Sequence, residues 1–229
     1  MMFFGYDPTM VIIIPALLLA FYAQSKVRST FAKFSKVTLS HPVTGAQAAR
    51  RILDDAGLAD VHIERISGAL GDHYDPRKRV LRLSAEVHDH PSVAAVGVAA
   101  HEAGHAIQHQ HGYAPLAVRN AIVPVAQFGS NAAFILFLAG LFFNFAGLMD
   151  LGILLFGAAV VFQVVTLPVE YNASGRALAL LSGSGMVTSR EREGVRQVLS
   201  AAALTYLAAA LMAVLQLARL LILRGSRRD

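Results

Sequence analysis

Four apolar stretches, each near the length that crosses a lipid bilayer, constrain this chain more than any other feature. A helix needs roughly 20 apolar residues to span the hydrocarbon core, and runs of that length are rare in small soluble domains. The first covers 9–22, with Met1 to Tyr6 adding apolar character ahead of Asp7 and Pro8. It has no basic start and is followed by Lys26, Arg28, Lys33 and Lys36, which reads as an uncleaved anchor rather than a signal peptide. The second covers 122–145 and the third 151–167, and the polar break around Asn144 and Asp150 makes a transmembrane hairpin of them. The fourth, 199–223, carries Arg219 near its end, where the side chain can snorkel to the interface. A hydrophobic content of 55% and a mean hydropathy of +0.51 agree with a chain that meets lipid.

The expected division is an N-terminal transmembrane anchor (1–24), a polar region (25–120), a transmembrane hairpin (121–167), a helix with a connecting loop (168–198), a C-terminal transmembrane helix (199–223) and a basic tail (224–229). Four spans put both polar regions on one face of the bilayer. Twelve Lys and Arg lie within 24–120 and four within 168–197, and none precede the first span, so that face is expected to be cytoplasmic. The even span count leaves Arg224, Arg227 and Arg228 on the opposite face. The formal charge of +5 does not point to nucleic acid, because the basic residues flank apolar stretches and form no run interleaved with aromatics. With no cysteine, any metal must be held by His, Asp or Glu.

In the larger polar region, 44–58 has a Thr N-cap, an apolar stripe and a stop at Gly57, which predicts a short amphipathic helix. Segments 61–66 and 79–84 alternate polar and apolar residues around GDHYDPRK, whose Asp75-Pro76 pair favours chain reversal, so they are expected to form a β-hairpin. From Ser92, a cap behind Pro91, an Ala-rich helix runs to about Gln110.

That helix carries H-E-x-x-H at His101, Glu102 and His105. Spacing by four puts both imidazoles on one helical face, one turn apart, where they can share a tetrahedral zinc, and it places Glu102 beside the metal as a base for the attacking water. In an arbitrary helix the same pattern is a solvated His/Glu face or a satisfied buried pair. Within VGVAAHEAGHAI, however, such groups are costly unless they coordinate or pair. A catalytic zinc needs a third ligand. His109 lies eight residues past His101, roughly 12 Å along the axis, and is expected to face solvent. His111 sits at the last position of the longer H-E-x-x-H-x-x-G-x-x-H pattern, but Gln108 replaces the glycine that would turn the chain back. Glu170 is the better candidate, since it follows the hairpin at Pro168 and opens the helical stretch EYNASGRALALL on the same face. Ser174, four residues on, can brace a ligand histidine or simply pack. Asp72, His73, Tyr74 and Asp75 read first as a hydrogen-bonded turn. His73, Tyr74, Tyr171 and Arg176 are the residue types nearby that stabilise an oxyanion, and spacing does not choose among them.

DHYDP at 72–76, RLS at 82–84, VAAHEAGHAIQHQ at 98–110 and LPVEYNAS at 167–174 with Arg176 resemble the YugP-type family of bacterial membrane zinc metallopeptidases, and the likeness covers almost the whole chain. That family is similar in outline to the HtpX-like and CAAX prenyl protease metallopeptidases, where a Glu four residues before an Asp supplies the third ligand. Ser174 stands here in place of that Asp. The resemblance implies one zinc per chain on His101, His105 and Glu170, and Glu102 as the catalytic base. It also implies a location in the bacterial inner membrane.

The expected fold is a mainly α membrane protein. It would have about four transmembrane helices and a cytosolic-face zincin-like, gluzincin-type α+β catalytic domain carrying a β-hairpin and the HExxH helix. The expected function is a membrane-bound zinc metalloendopeptidase acting on peptides or proteins, membrane proteins among them, with the lipid bilayer as its other partner. No feature of the sequence fixes an oligomeric state. Arg79, Val80, Leu81, Arg82, Leu83 and Ser84 are expected to form an edge strand that pairs with extended substrate, and Arg176 joins Ser174 as a residue supporting the ligands. An intramembrane-cleaving protease is the rival enzyme, but only about 17 residues leading through the motif are apolar and no later span carries an Asp-Gly ligand. A membrane adaptor stapled by structural zinc is the rival without catalysis, and it has no use for Glu102.

Overall fold

The computed structural model of the chain describes residues 7–68 and 71–226. Met1 to Tyr6 and the tail residues Arg227 and Arg228 therefore lie outside the described residues. After a 3-10 helix at Pro8–Ile13, the elements are α1 (Ile14–Phe34), α2 (Gly45–Asp55), β1 (His62–Ile66), β2 (His73–Asp75), β3 (Val80–Ser84), α3 (Ala85–His88), α4 (Val93–Gln110), α5 (Ala114–Phe142), α6 (Ala146–Gly183) and α7 (Ser189–Gly225). The described residues are mainly helical with one small sheet. Pro8–Phe34, α5, α6 and α7 are long and apolar enough to cross a membrane.

Each of these helices begins ahead of its apolar block. α7 begins ten residues ahead of 199, where Thr188 and Glu191 cap each other reciprocally. α6 passes through Pro168 without a break, so the third apolar block and the helix of Glu170 are one element. Proline there removes one intrahelical hydrogen bond without ending the helix.

The chain forms two compact units. One comprises residues up to Tyr22, Val118–Leu167 and the chain from Thr205. In it, Phe137, Met149 and Leu220 are buried together. α5 and α6 touch closely at Gly152, where a Cβ would lie 2.7 Å from the Ala133 carbonyl oxygen. Arg219 pairs with Asp7 and donates to Thr9 Oγ1, and Arg224 holds Asp150 through two hydrogen bonds.

The other unit is Ala23–Ala117 with Pro168–Leu204. Its core gathers Ile52 and Leu53 of α2, Leu81 and Leu83 of β3, and Val96, Ala99, Ala103 and Ile107 of α4. α2 starts at a Thr44–Gln47 capping box and stops at Gly57, whose φ of +71° suits glycine. α4 starts where Ser92 Oγ accepts from Ala95 N–H at 3.2 Å.

The sheet corrects the expected hairpin. Its order is β1-β3-β2, with β1 parallel to β3 and β2 antiparallel to it. The reversal after Asp75 is real, but it joins β2 to β3. Asp75 Oδ1 accepts from Arg77 and Lys78 N–H at 3.0 and 3.1 Å, and Arg79 closes the turn at a φ of +52°. β1 then docks on the far edge of β3 in the register His62 to Val80. β3 is thus the central strand, so the edge-strand role expected for Arg79, Val80, Leu81, Arg82, Leu83 and Ser84 does not hold. β1 pairs along Val80–Ser84 and β2 along Val80, Leu81 and Arg82, so both sides of that stretch are taken.

Candidate metal centre

The i, i+4 spacing on α4 brings the His101 and His105 rings to 4.7 Å between centroids, 88° apart in plane. Both Nε2 atoms turn to one carboxylate oxygen: Glu170 Oε2 lies 3.2 Å from His101 and 3.6 Å from His105. Ligands placed tetrahedrally about 2.1 Å from a zinc ion stand about 3.4 Å apart, so this spacing fits that ion. Glu170 is 3% exposed and His105 8%, and the His101 side chain is 12% exposed. Together they are the group of His, Asp and Glu donors within 4.8 Å of one another that can hold a metal among the described residues.

α6 comes near enough to deliver Glu170 because residue 104 of α4 is glycine. A Cβ there would lie 2.9 Å from the Ala173 carbonyl oxygen and 3.4 Å from the Ala173 Cα. The backbone of α6 occupies the space that a side chain would need.

Each imidazole has a partner at its other nitrogen. Ser174 Oγ lies 3.1 Å from His101 Nδ1. His105 Nδ1 meets the Oε1 of Gln108, a fully buried side chain, at 3.0 Å. Gln108 Nε2 donates to the Val169 carbonyl at 2.8 Å and to Asn172 Oδ1 at 2.9 Å, and Arg176 Nε donates to that same oxygen at 2.8 Å. Arg176 thus reaches His105 through Asn172 and Gln108. Burial lowers the His105 pKa, but the hydrogen bond to Glu170 and the charge of Glu102 outweigh it and hold the metal-free imidazole above its ordinary value.

Glu102 points off the helix toward the sheet. Its Oε2 accepts from Tyr74 N–H of β2 at 3.1 Å, and Oε1 has no hydrogen bond among the described residues. Burial pushes its carboxyl above the ordinary range, against the pull of His101 and His105. DHYDP is therefore more than a turn. Asp72 accepts from Ser84 N–H at 2.7 Å and from Ser84 Oγ, which ties β2 to the end of β3, and Tyr74 carries the strand onto α4. His109, expected in solvent, is half-buried and meets Tyr74 OH at 3.0 Å. His111 is exposed and 3.5 Å from Arg176, and Tyr171 is 52% exposed. His73 Nε2 lies 3.3 Å from Arg82, on the sheet.

Gln108, Asn172 and the Tyr74 N–H were missed from sequence. A Gln three residues past a ligand histidine, on the same helical face, is the signal that points to Gln108. A backbone donor leaves no such mark.

No solved structure matches the chain. A relative from Bacillus subtilis (strain 168), "Putative membrane protease YugP", is 51% identical over 216 residues, covering 94% of this chain and 96% of the relative. Residues 9–225 match the family described as "Putative neutral zinc metallopeptidase", a span that takes in both ligand helices and all four apolar helices. The protein, a membrane chain by its helices and by its relative, belongs to that zinc metallopeptidase family.

Proposed function

We propose that this protein is a membrane-bound zinc-dependent endopeptidase of gluzincin type, in which His101, His105 and Glu170 hold the metal and Glu102 is the general base. The observation that carries this reading is the convergence of two imidazole nitrogens on one Glu170 oxygen at 3.2 and 3.6 Å, beside a buried carboxylate with one oxygen unoccupied. Zinc supplies Lewis-acid polarisation of a carbonyl and lowers the pKa of water.

The chain's own residues do the rest. The Tyr74 N–H holds Glu102 Oε2 and so aims Oε1, which takes a proton as water oxygen attacks the peptide carbon. Glu102 then passes that proton to the leaving nitrogen, and the carboxylate is restored. Substrates are peptides or proteins, including membrane proteins. The basic excess around the larger polar region supports a site on the cytoplasmic face of the inner membrane.

The test measures zinc content and cleavage of an unfolded reporter protein in detergent. Wild type and Glu102→Gln should each hold about one zinc, as a single His2Glu site requires, with cleavage only in the wild type. Glu170→Ala should lose zinc. Cleavage surviving in Glu102→Gln would sink the assignment of the base, and full zinc retention in Glu170→Ala would remove the third ligand.

A further inference from the structure

We infer that Gln108 is a positioning residue for the metal. It fixes which nitrogen of His105 carries hydrogen and ties that ligand to the helix that supplies Glu170. The inference rests on the zinc reading of the site and assigns a role within it to a residue outside the ligand set.

The orientation of the Gln108 amide follows from its neighbours. The Val169 carbonyl can only accept, so the side of the amide facing it at 2.8 Å must be the NH2 group. The second acceptor, Asn172 Oδ1, is fixed independently, because Arg176 Nε can only donate and does so at 2.8 Å. With both N–H groups directed at α6, Gln108 Oε1 is left facing His105 Nδ1 at 3.0 Å. A carbonyl oxygen cannot donate, so Nδ1 must carry the hydrogen. In the neutral ring the lone pair then lies on Nε2, the nitrogen turned to Glu170 and the metal position.

Gln108 is also completely buried, so water does not replace a bond that it loses. Val169 and Asn172 flank Glu170 on α6. A single amide therefore orients one ligand on α4 and grips the helix beside another. Ser174 serves His101 separately, which makes His101 an internal control.

The test compares the wild type with Gln108→Met, of similar shape but without an acceptor, and with Gln108→Glu, which restores an oxygen opposite Nδ1. Zinc affinity is read by chelator competition, and the histidine ring N–H signals of the zinc-loaded proteins by 15N NMR in detergent. Gln108→Met should bind zinc about 10- to 100-fold more weakly. It should lose the slowly exchanging His105 Nδ1–H signal while keeping that of His101. Gln108→Glu should recover the signal but only part of the affinity, since a carboxylate accepts from Nδ1 yet cannot donate to the Val169 carbonyl or to Asn172 Oδ1, and it carries the comparison should Gln108→Met fail to fold. Wild-type affinity and an unchanged His105 signal in Gln108→Met, or loss of that signal in a zinc-loaded Gln108→Glu, would overturn the role of Gln108 alone. A wild-type chain that takes up no zinc would overturn the metallopeptidase reading and this role with it.

Discussion

Adding one methyl group at residue 104 should damage the metal site without touching a ligand. In Gly104→Ala the new Cβ falls 2.9 Å from the Ala173 carbonyl oxygen, and relieving that contact requires α4 and α6 to part by about half an ångström. The neighbour is backbone, so no side chain can rotate away. Overpacking of this kind costs about 1–3 kcal/mol, and the better helix propensity of alanine offsets about 1 of it. The metal-free protein should thus range from near neutral to about 2 kcal/mol less stable. Zinc must draw Glu170 back to the histidines against the full strain. At 1.4 kcal/mol per tenfold, that weakens binding by about 5- to 150-fold.

Gly97→Ala, two turns earlier on the same helix, is the control. There the Cβ meets Val195 Cγ1 at 3.1 Å, a methyl group that need give way by only a few tenths of an ångström, and no backbone atom is in the way. It should keep wild-type zinc affinity. Chelator competition for zinc and thermal unfolding of the metal-free proteins in detergent measure both effects. Wild-type zinc affinity in Gly104→Ala, or equal weakening in the two variants, would refute the close approach at Ala173 as the device that delivers Glu170.

Asp72→Ala removes the acceptor of the Ser84 N–H and hydroxyl hydrogen bonds and should lower stability by about 1–3 kcal/mol in thermal unfolding. Because β2 also holds Glu102 through Tyr74, turnover should fall while zinc content stays near that of the wild type; loss of zinc would place Asp72 in the metal site instead. Zinc binding requires a neutral His105, whose metal-free pKa is raised above the ordinary imidazole value. Affinity should therefore be full at alkaline pH and begin to fall, as pH drops, above the usual histidine range. A zinc titration series that stays flat until below that range would contradict the raised value.

The ligand helix was legible because several independent signals coincide between Pro91 and Gln110: a serine cap, an alanine-rich body and two histidines four apart. Glu170 was reachable from its place after a hairpin on the same face, and the structure puts it against both histidines. The sheet was not legible. β2 is three residues long, all polar or amphipathic, and directly abuts the turn formers that announced the reversal, so it read as part of the turn. The parallel pairing of β1 with β3 is a long-range choice that local alternation does not encode, since either direction presents the same faces. The continuity of α6 was hidden by Pro168, a residue that usually marks an end.

The unit that contains the metal ligands is made of two separated pieces of chain, and this sets a clock on its assembly. His101 and Glu170 are 69 positions apart, and at about 5–20 residues per second the ribosome needs roughly 3–14 s to pass from one to the other. Two apolar helices must be made in that interval. A nascent chain ending before Glu170 has the motif helix and Glu102 but only two of the three grouped donors, so the proposed metal centre cannot form until most of the protein has been synthesised. For the same reason, residues 23–117 released alone as a fragment would carry every residue of the H-E-x-x-H signature and still lack a complete site.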